Sequence, residues 1–243
     1  VMLPFRMKDR LLFDRKIWAT KIDHDPVFIL GHWRSGTTYL HNVLSCDPQF
    51  GFFTTFQAYL PGVFLGSERL LKPLVSSSIP EKRPMDDVGM DAEFPQEDQY
   101  AVGAMTPFSY YHGWCYPQNM ERYNEFVLMD DSVSDRDIQL WKKYYLYLIK
   151  KATFASDGKQ LVLKNQDNTS KVRLLLELFP NAKFLLIQRN PIDLYYSMLK
   201  FLRFVIPRYC IQIPPSFSEV EASMISLYAC MFRKYLKERE LIP

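Results

Sequence analysis

The stretch Gly31-His32-Trp33-Arg34-Ser35-Gly36-Thr37-Thr38 has two glycines separated by four residues and then a hydroxyl residue. This is the spacing of a loop that wraps its backbone around an anion. Glycines let successive N–H groups converge, and a helix opening at Thr37 adds roughly half a positive charge at its N-terminus. Gly36 supplies a backbone donor, and Ser35, Thr37 and Thr38 supply hydroxyls as well. The lysine of a nucleotide triphosphatase is absent, and the positive charge lies inside the loop, on Arg34. Magnesium-dependent phosphoryl transfer also needs an acid at a neighbouring strand end. Here the matching positions read Lys164-Asn165 and Gln188-Arg189. The chemistry this favours is transfer from a phosphate-linked donor whose leaving oxygen is neutralised by arginine and lysine, without a metal. A transferred group less charged than a terminal phosphate, as in a phosphosulfate, suits such a site.

Transfer to a hydroxyl acceptor also requires a base within reach of the loop. The candidates are Asp86, Asp87, Asp91, Glu93, Glu97, Asp98 and His112. Glu97 is the preferred base and His112 the second. In Pro95-Gln96-Glu97-Asp98 the proline suits a helix start, where acids are favoured electrostatically whether or not they are catalytic. Lys164 either contacts the donor or serves a structural ion pair. His32 and His41, which flank the loop, are assigned structural roles.

These residues need elements that hold them together. Val27-Phe28-Ile29-Leu30 is a short apolar run stopped by Gly31, the pattern of a buried parallel strand. Leu40, Val43 and Leu44 then recur on one helical face until Asp47-Pro48. Leu161–Lys164 and Lys183–Gln188 read as further strands, joined by a helix carrying Val172, Leu175, Leu176 and Phe179. Longer helices are expected at Ser134, with Asp137 three residues on, and at Ser218, with Glu221 completing a capping box. Strands alternating with helices indicate an α/β fold with ligands at the strands' carboxyl ends. The Pro-, aromatic- and acid-rich region from Phe52 to Gln118 covers that edge. The first 25 residues alternate basic and bulky apolar residues, as in an amphipathic lead-in helix that packs on the domain or touches a membrane surface.

With 243 residues, 48% of them hydrophobic, the chain can bury a sizeable core, and a formal charge of +3 without long basic runs argues against a nucleic-acid partner. Cys46, Cys115, Cys210 and Cys230 lack the close pairing of zinc or dithiol sites. No apolar run is long enough to span a bilayer, and no secretory signal is evident. A cytoplasmic location is expected, or a membrane-associated or Golgi-lumenal one if an N-terminal anchor has been removed.

Gly31–Thr38 resembles the 5′-phosphosulfate loop of sulfotransferases, Pro-Arg/Lys-x-Gly-Thr-Thr, with Trp33 in place of the common proline. Gln188–Ser197 is similar to the family's 3′-phosphate signature, an arginine at a strand end and a serine eight residues later. Leu161–Asn165, with Asn168-Thr169 and the following leucine-rich helix, resembles a segment of bacterial sulfotransferases. With Pro84–Asp98 included, the likeness covers about residues 27–200.

The resemblance implies a three-layer P-loop-type α/β fold, a central parallel sheet flanked by helices, in one domain over 1–243. The implied co-substrate is 3′-phosphoadenosine 5′-phosphosulfate. Its contacts would be Arg34, Ser35, Gly36, Thr37 and Thr38 around the phosphosulfate, with Arg189 and Ser197 on the 3′-phosphate. Arg34, Glu97, Lys164 and His112 are the candidate catalytic set; the base does not carry over from the resemblance, because the chain reads Phe53-Thr54-Thr55-Phe56-Gln57 where another branch of the family has a glutamate. The family's glycine-rich, lysine-bearing C-terminal loop is not found, so a C-terminal part is expected to be missing. The acceptor is a small-molecule or glycan hydroxyl, in a lipid, sterol, phenol or carbohydrate; the aromatics of Phe52–Phe64 and Phe108–Tyr123 either line its pocket or fill the core. Two other readings stay open: a P-loop nucleotide or small-molecule kinase, and a non-catalytic nucleotide-binding module.

Overall fold

Residues 2–243 are described by the structure, a computed structural model. Val27–Leu30 forms β1, the buried centre of a four-stranded sheet with Phe50–Gly51 (β2), Gln160–Lys164 (β3) and Lys183–Leu186 (β4). The order is β2-β3-β1-β4 and every pair is parallel, with Ile29 opposite both Lys164 and Leu185. All carboxyl ends therefore lie on one side. The loop after β1, the turn after β3 and the segment after β4 meet there.

In chain order the helices are Leu3–Ala19 (α1), Thr37–Leu44 (α2), Thr55–Tyr59 (α3), Phe64–Ser76 (α4) and Asp98–Met105 (α5). They continue with His112–Cys115 (α6), Met120–Leu128 (α7), Asp135–Ala155 (α8), Val172–Leu178 (α9), Pro191–Tyr209 (α10) and Phe217–Glu238 (α11). Strand alternation divides the core between two faces. Phe28, Leu30, Leu161 and Leu163 pack with Trp141 and Leu148 of α8 and Leu175 of α9, while Val27, Ile29 and Val162 meet Leu40 and Leu44 of α2. Helices thus cover both faces of a parallel sheet, the three-layer α/β arrangement expected.

Local departures have local causes. β4 ends at Leu186, so Gln188-Arg189 lies in the loop beyond it. β2, only two residues long, has no periodicity to read. Val43 faces solvent, and the inward position on α2 is taken by His41. Pro95 does not open a helix: it bridges to Thr54, and α5 starts at Asp98 with Glu97 at its N-cap. α8 is capped by Ser134 as expected. α11, however, uses the earlier of two overlapping Ser-x-x-Glu patterns, Ser216 with Glu219, because Pro214-Pro215 places Ser216 first; Glu221 instead accepts from the Tyr195 hydroxyl.

The expected lead-in helix is present as α1 and packs on α4 and α8. Its anchor is an ion pair set within an apolar stripe of Phe5, Phe13 and Ile17. Asp9 is 2% exposed and accepts from Lys151 Nζ and the Gly66 N–H, each at 2.5 Å. Lys151 also donates to the Pro61 carbonyl at 2.7 Å and sits over the Phe64 ring. Leu3, Met7 and Leu11 remain exposed. Among the described residues no helix is long and apolar enough to cross a membrane.

A buried charge deprived of its partner costs far more than an intact pair contributes. Lys151→Met should therefore lower the unfolding free energy by about 3–5 kcal/mol, whereas Asp9→Asn combined with Lys151→Met should cost distinctly less. Urea denaturation of both variants distinguishes them; equal losses would mean that the pair is not the anchor.

Candidate active site

The loop from β1 to α2 is held in a conformation few residues adopt. Gly31 has φ 143° and Gly36 φ 101°, and Arg34 between them, with φ 69°, is one of few non-glycine residues in the left-handed region. A Cβ on Gly31 would meet the Ile187 carbonyl at 2.7 Å, so only glycine fits where the loop passes β4's extension. The Gly31 N–H donates to Thr169 Oγ1 at 2.8 Å, and that hydroxyl donates back to the Gly31 carbonyl at 3.1 Å. Thr37 and Thr38 open α2, so their N–H groups have no acceptor in a preceding turn, and both residues line the cavity above the sheet.

That cavity has a volume of about 310 Å³. Arg34, Gly36, Thr37 and Thr38 line one side, Arg189 and Gln166 the floor, and Met85, Asp86, Glu97, Tyr111 and Trp114 of the covering segment the roof. Phe201, Val205 and Tyr209 of α10 close the far wall.

Beneath the loop, Lys164 at the end of β3 pairs with Glu97 at the start of α5; the two residues are 2% and 6% exposed. Lys164 also lies 3.4 Å from Thr38 Oγ1. Tyr111 donates its hydroxyl to Glu97 Oε2, and Gln166 Nε2 spans from Glu97 Oε1 at 3.2 Å to Thr37 Oγ1 at 3.4 Å. Glu97 does not cap its own helix; its carboxylate is turned to the sheet. Burial depresses the Lys164 ammonium, and the Glu97 carboxylate works against that shift without cancelling it.

Arg34 is the second node. Its Nη1 donates to Asp86 Oδ2 at 2.5 Å, its Nε to Ser197 Oγ at 3.2 Å, and its carbonyl accepts from Arg189 Nη1 at 3.0 Å. Burial alone would raise the Asp86 carboxyl, but Arg34 and Arg83 outweigh it and hold it below its ordinary range. Both carboxylates lining the cavity are thus already matched by cations.

Residues 26–240 match the sulfotransferase family. The chain belongs to that family. It is 30% identical over 233 residues to the omega-hydroxy-beta-dihydromenaquinone-9 sulfotransferase Stf3 of Mycobacterium bovis and of Mycobacterium tuberculosis, a match covering 96% of this chain. The chain spans 59% of the length of those relatives. Its fold is shared with sulfotransferase STF1 of Mycobacterium tuberculosis, at a TM-score of 0.72 and 15% identity over 98% of this chain and 64% of that one. STF9 of Mycobacterium avium gives 0.74 and 16% over 98% and 60%.

Of the residues singled out in the sulfotransferase sequence, Arg34, Gly36, Thr37, Thr38, Glu97 and Arg189 line one cavity, and Lys164 lies beneath it. Ser197 faces an adjoining cleft and reaches the cavity through Arg34. Ser35 departs from expectation: its hydroxyl turns inward to the His32 carbonyl at 2.7 Å and is not offered to a ligand. His112 departs as well. Its ring nitrogens lie 3.0 and 3.3 Å from the carbonyls of Gly103 and Pro107, outside the cavity lining, because α6 turns the ring toward α5. His32 and His41 are buried, and burial first of all lowers them to about 4 and about 3, so both are neutral. Gln166 and Tyr111 were missed. Gln166, two residues past a strand-end lysine, carried a positional signal; Tyr111, in an aromatic run, carried none.

A buried polar layer supports the site. Asp98, beside Asn165, is raised to about 7 mainly by burial. Its native pKa exceeds the unfolded value of about 4, so the folded state keeps a proton that the unfolded state loses. That contribution is complete below about pH 4 and is lost as pH rises through about 7. Asp98→Asn should remove it, so that the variant gains stability relative to wild type between about pH 5 and 8. Melting temperatures across that range, with no change in the difference between the two proteins, would contradict the assignment.

Proposed function

We propose that this protein transfers the sulfuryl group of 3′-phosphoadenosine 5′-phosphosulfate to the hydroxyl of a lipid alcohol, with no metal in the step. The observation carrying this reading is that Glu97, fixed by Lys164, Tyr111 and Gln166, opens on the same cavity as Arg34, Arg189 and the first turn of α2. A phosphosulfate fits the loop's unpaired N–H groups and the Arg34 guanidinium. The 3′-phosphate would lie between Arg189 and Ser197, which already flank Arg34. Glu97 takes the acceptor proton as the acceptor oxygen bonds to sulfur, and the sulfur–oxygen bond to the phosphate breaks in line. Arg34 and Lys164 then face the charge that develops on the phosphate.

The lipid acceptor is favoured by the apolar wall of Met85, Val88, Trp114, Phe201 and Val205, and by the name of the Stf3 relatives, whose acceptor is a hydroxylated menaquinone.

Calorimetric titration with adenosine 3′,5′-bisphosphate should show binding without magnesium. Arg189→Ala should weaken it about 10- to 100-fold, the worth of one or two charge-assisted hydrogen bonds. A preference for Mg-ATP would instead favour a kinase. Glu97→Gln should cut turnover on a hydroxylated polyprenyl acceptor by about 100-fold or more, a larger change than any it makes to nucleotide affinity; unchanged turnover would remove Glu97 as the base. Asp86→Asn, which frees Arg34, should tighten bisphosphate binding by up to about fivefold.

A further inference from the structure

α10 ends at Tyr209, and the loop after it turns Ile211 and Ile213 outward, at 70% and 82% exposure. This loop is not slack. The Ile211 N–H donates to the Cys115 carbonyl at 3.0 Å, Gln118 Nε2 donates to the Ile213 carbonyl at 2.9 Å, and Pro214-Pro215 restrict the chain before α11. Two large aliphatic side chains are therefore presented to solvent on a tethered support, and no described residue covers them.

Cations flank this loop on its α10 side, whereas on the other side Pro215 shares a cleft with Glu121, Glu125, Glu219 and Arg122. Arg208 lies immediately before it, stacked over Phe204, and Arg203 sits over Phe217, the first residue beyond it in α11. Lys200, Arg203 and Arg208, all exposed, share one cleft beside Arg34. Of the acids in that cleft, Asp86 is already held by Arg34 and Arg83, which leaves Asp87 against three cations that form no ion pair among the described residues.

An aromatic path leads inward from the same loop. Tyr209, half exposed, has its ring 6.2 Å from that of Trp114; Trp114 lies 4.4 Å from Tyr111; and the Tyr111 hydroxyl donates to Glu97. Val205 and Phe201 flank this path along α10.

We propose that the 209–215 loop and the Lys200, Arg203 and Arg208 cleft form a surface that docks on an anionic lipid bilayer, and that a lipid alcohol passes from it along Tyr209, Trp114 and Tyr111 to Glu97. This rests on the lipid-acceptor reading above. Exposed aliphatics with a cluster of cations along one side match the apolar interior and anionic headgroups of a membrane surface. Continuity with the cavity favours a bilayer over a protein partner, which would have no use for a path to the base.

The test is co-sedimentation of the purified protein with vesicles of phosphatidylcholine alone or mixed with phosphatidylglycerol. Binding should require phosphatidylglycerol, fall with salt, and drop about tenfold or more in Ile211→Asp/Ile213→Asp. Lys200→Glu/Arg208→Glu should weaken it similarly. The isoleucine double variant should bind adenosine 3′,5′-bisphosphate as wild type does, which keeps a failure here distinct from a failure of the sulfotransferase site. Its turnover should fall on a vesicle-borne polyprenyl alcohol but not on a short water-soluble one. Undiminished vesicle binding by the variant would overturn the proposal and point to α1's exposed Leu3, Met7 and Leu11. A dimer in solution that the isoleucine substitutions dissolve would assign the surface to self-association instead.

Discussion

The ion pair between Lys164 and Glu97 is the charged centre of the joint between the sheet and the segment that covers its carboxyl edge, where Gln99 also meets Asp167 and Asn165 meets Asp98. One partner ends a central strand, and the other begins a helix in the segment that covers the sheet. Removing both charges from water is costly, and their attraction recovers that cost only when the remaining lone pairs and protons also find partners. Tyr111, Gln166 and Thr38 supply them. The cover is therefore held at one height above the phosphate loop, and the cavity has a fixed depth. A purely apolar contact could hold the cover as firmly, but it would leave no carboxylate on the cavity lined by Thr37 and Thr38.

The loop stores the complementary constraint. Three positive-φ residues in six, one of them an arginine, are unfavourable in an isolated chain and persist because Thr169 and the Ile187 carbonyl leave no alternative path. The result is a set of backbone donors already aimed before any ligand arrives. A bound anion gains from these donors without first ordering them, which is where preorganised electrostatics outperforms water.

What could be read from the sequence followed from how locally each feature is determined. β1 and the loop were legible because an apolar run ending in glycine has few alternatives, β3 and β4 because short apolar runs bracket a helical pattern, and the Ser134 cap because its partner lies three residues away. Glu97 was selected from a field of acids on helix-start grounds, and a helix does start there, with Glu97 at its N-cap and Asp98 in its first turn; only Pro95 was misplaced, since it pairs with Thr54. His112 looked equally available, yet a short helix turns its ring to two carbonyls, and no spacing rule predicts that rotation. Ser35 was misread for a similar reason: alternate residues of a tight loop point opposite ways. Gln166 and Tyr111 depend on contacts separated by 69 and 14 residues along the chain from Glu97, beyond the reach of periodicity.

Asp86 has a further consequence through its hold on Arg34. A carboxylate carried by the same chain competes at an effective concentration set by its tether, on the order of millimolar or above. Free inorganic phosphate or chloride, offering a single point of attachment, must outcompete a rival that never diffuses away. A ligand bearing two separated anionic groups escapes this handicap, because one group can engage Arg189 while the other displaces Asp86. If the loop holds the nucleotide proposed above, the resting ion pair would work as a valence filter, favouring a ligand with two separated anionic groups over a single small anion.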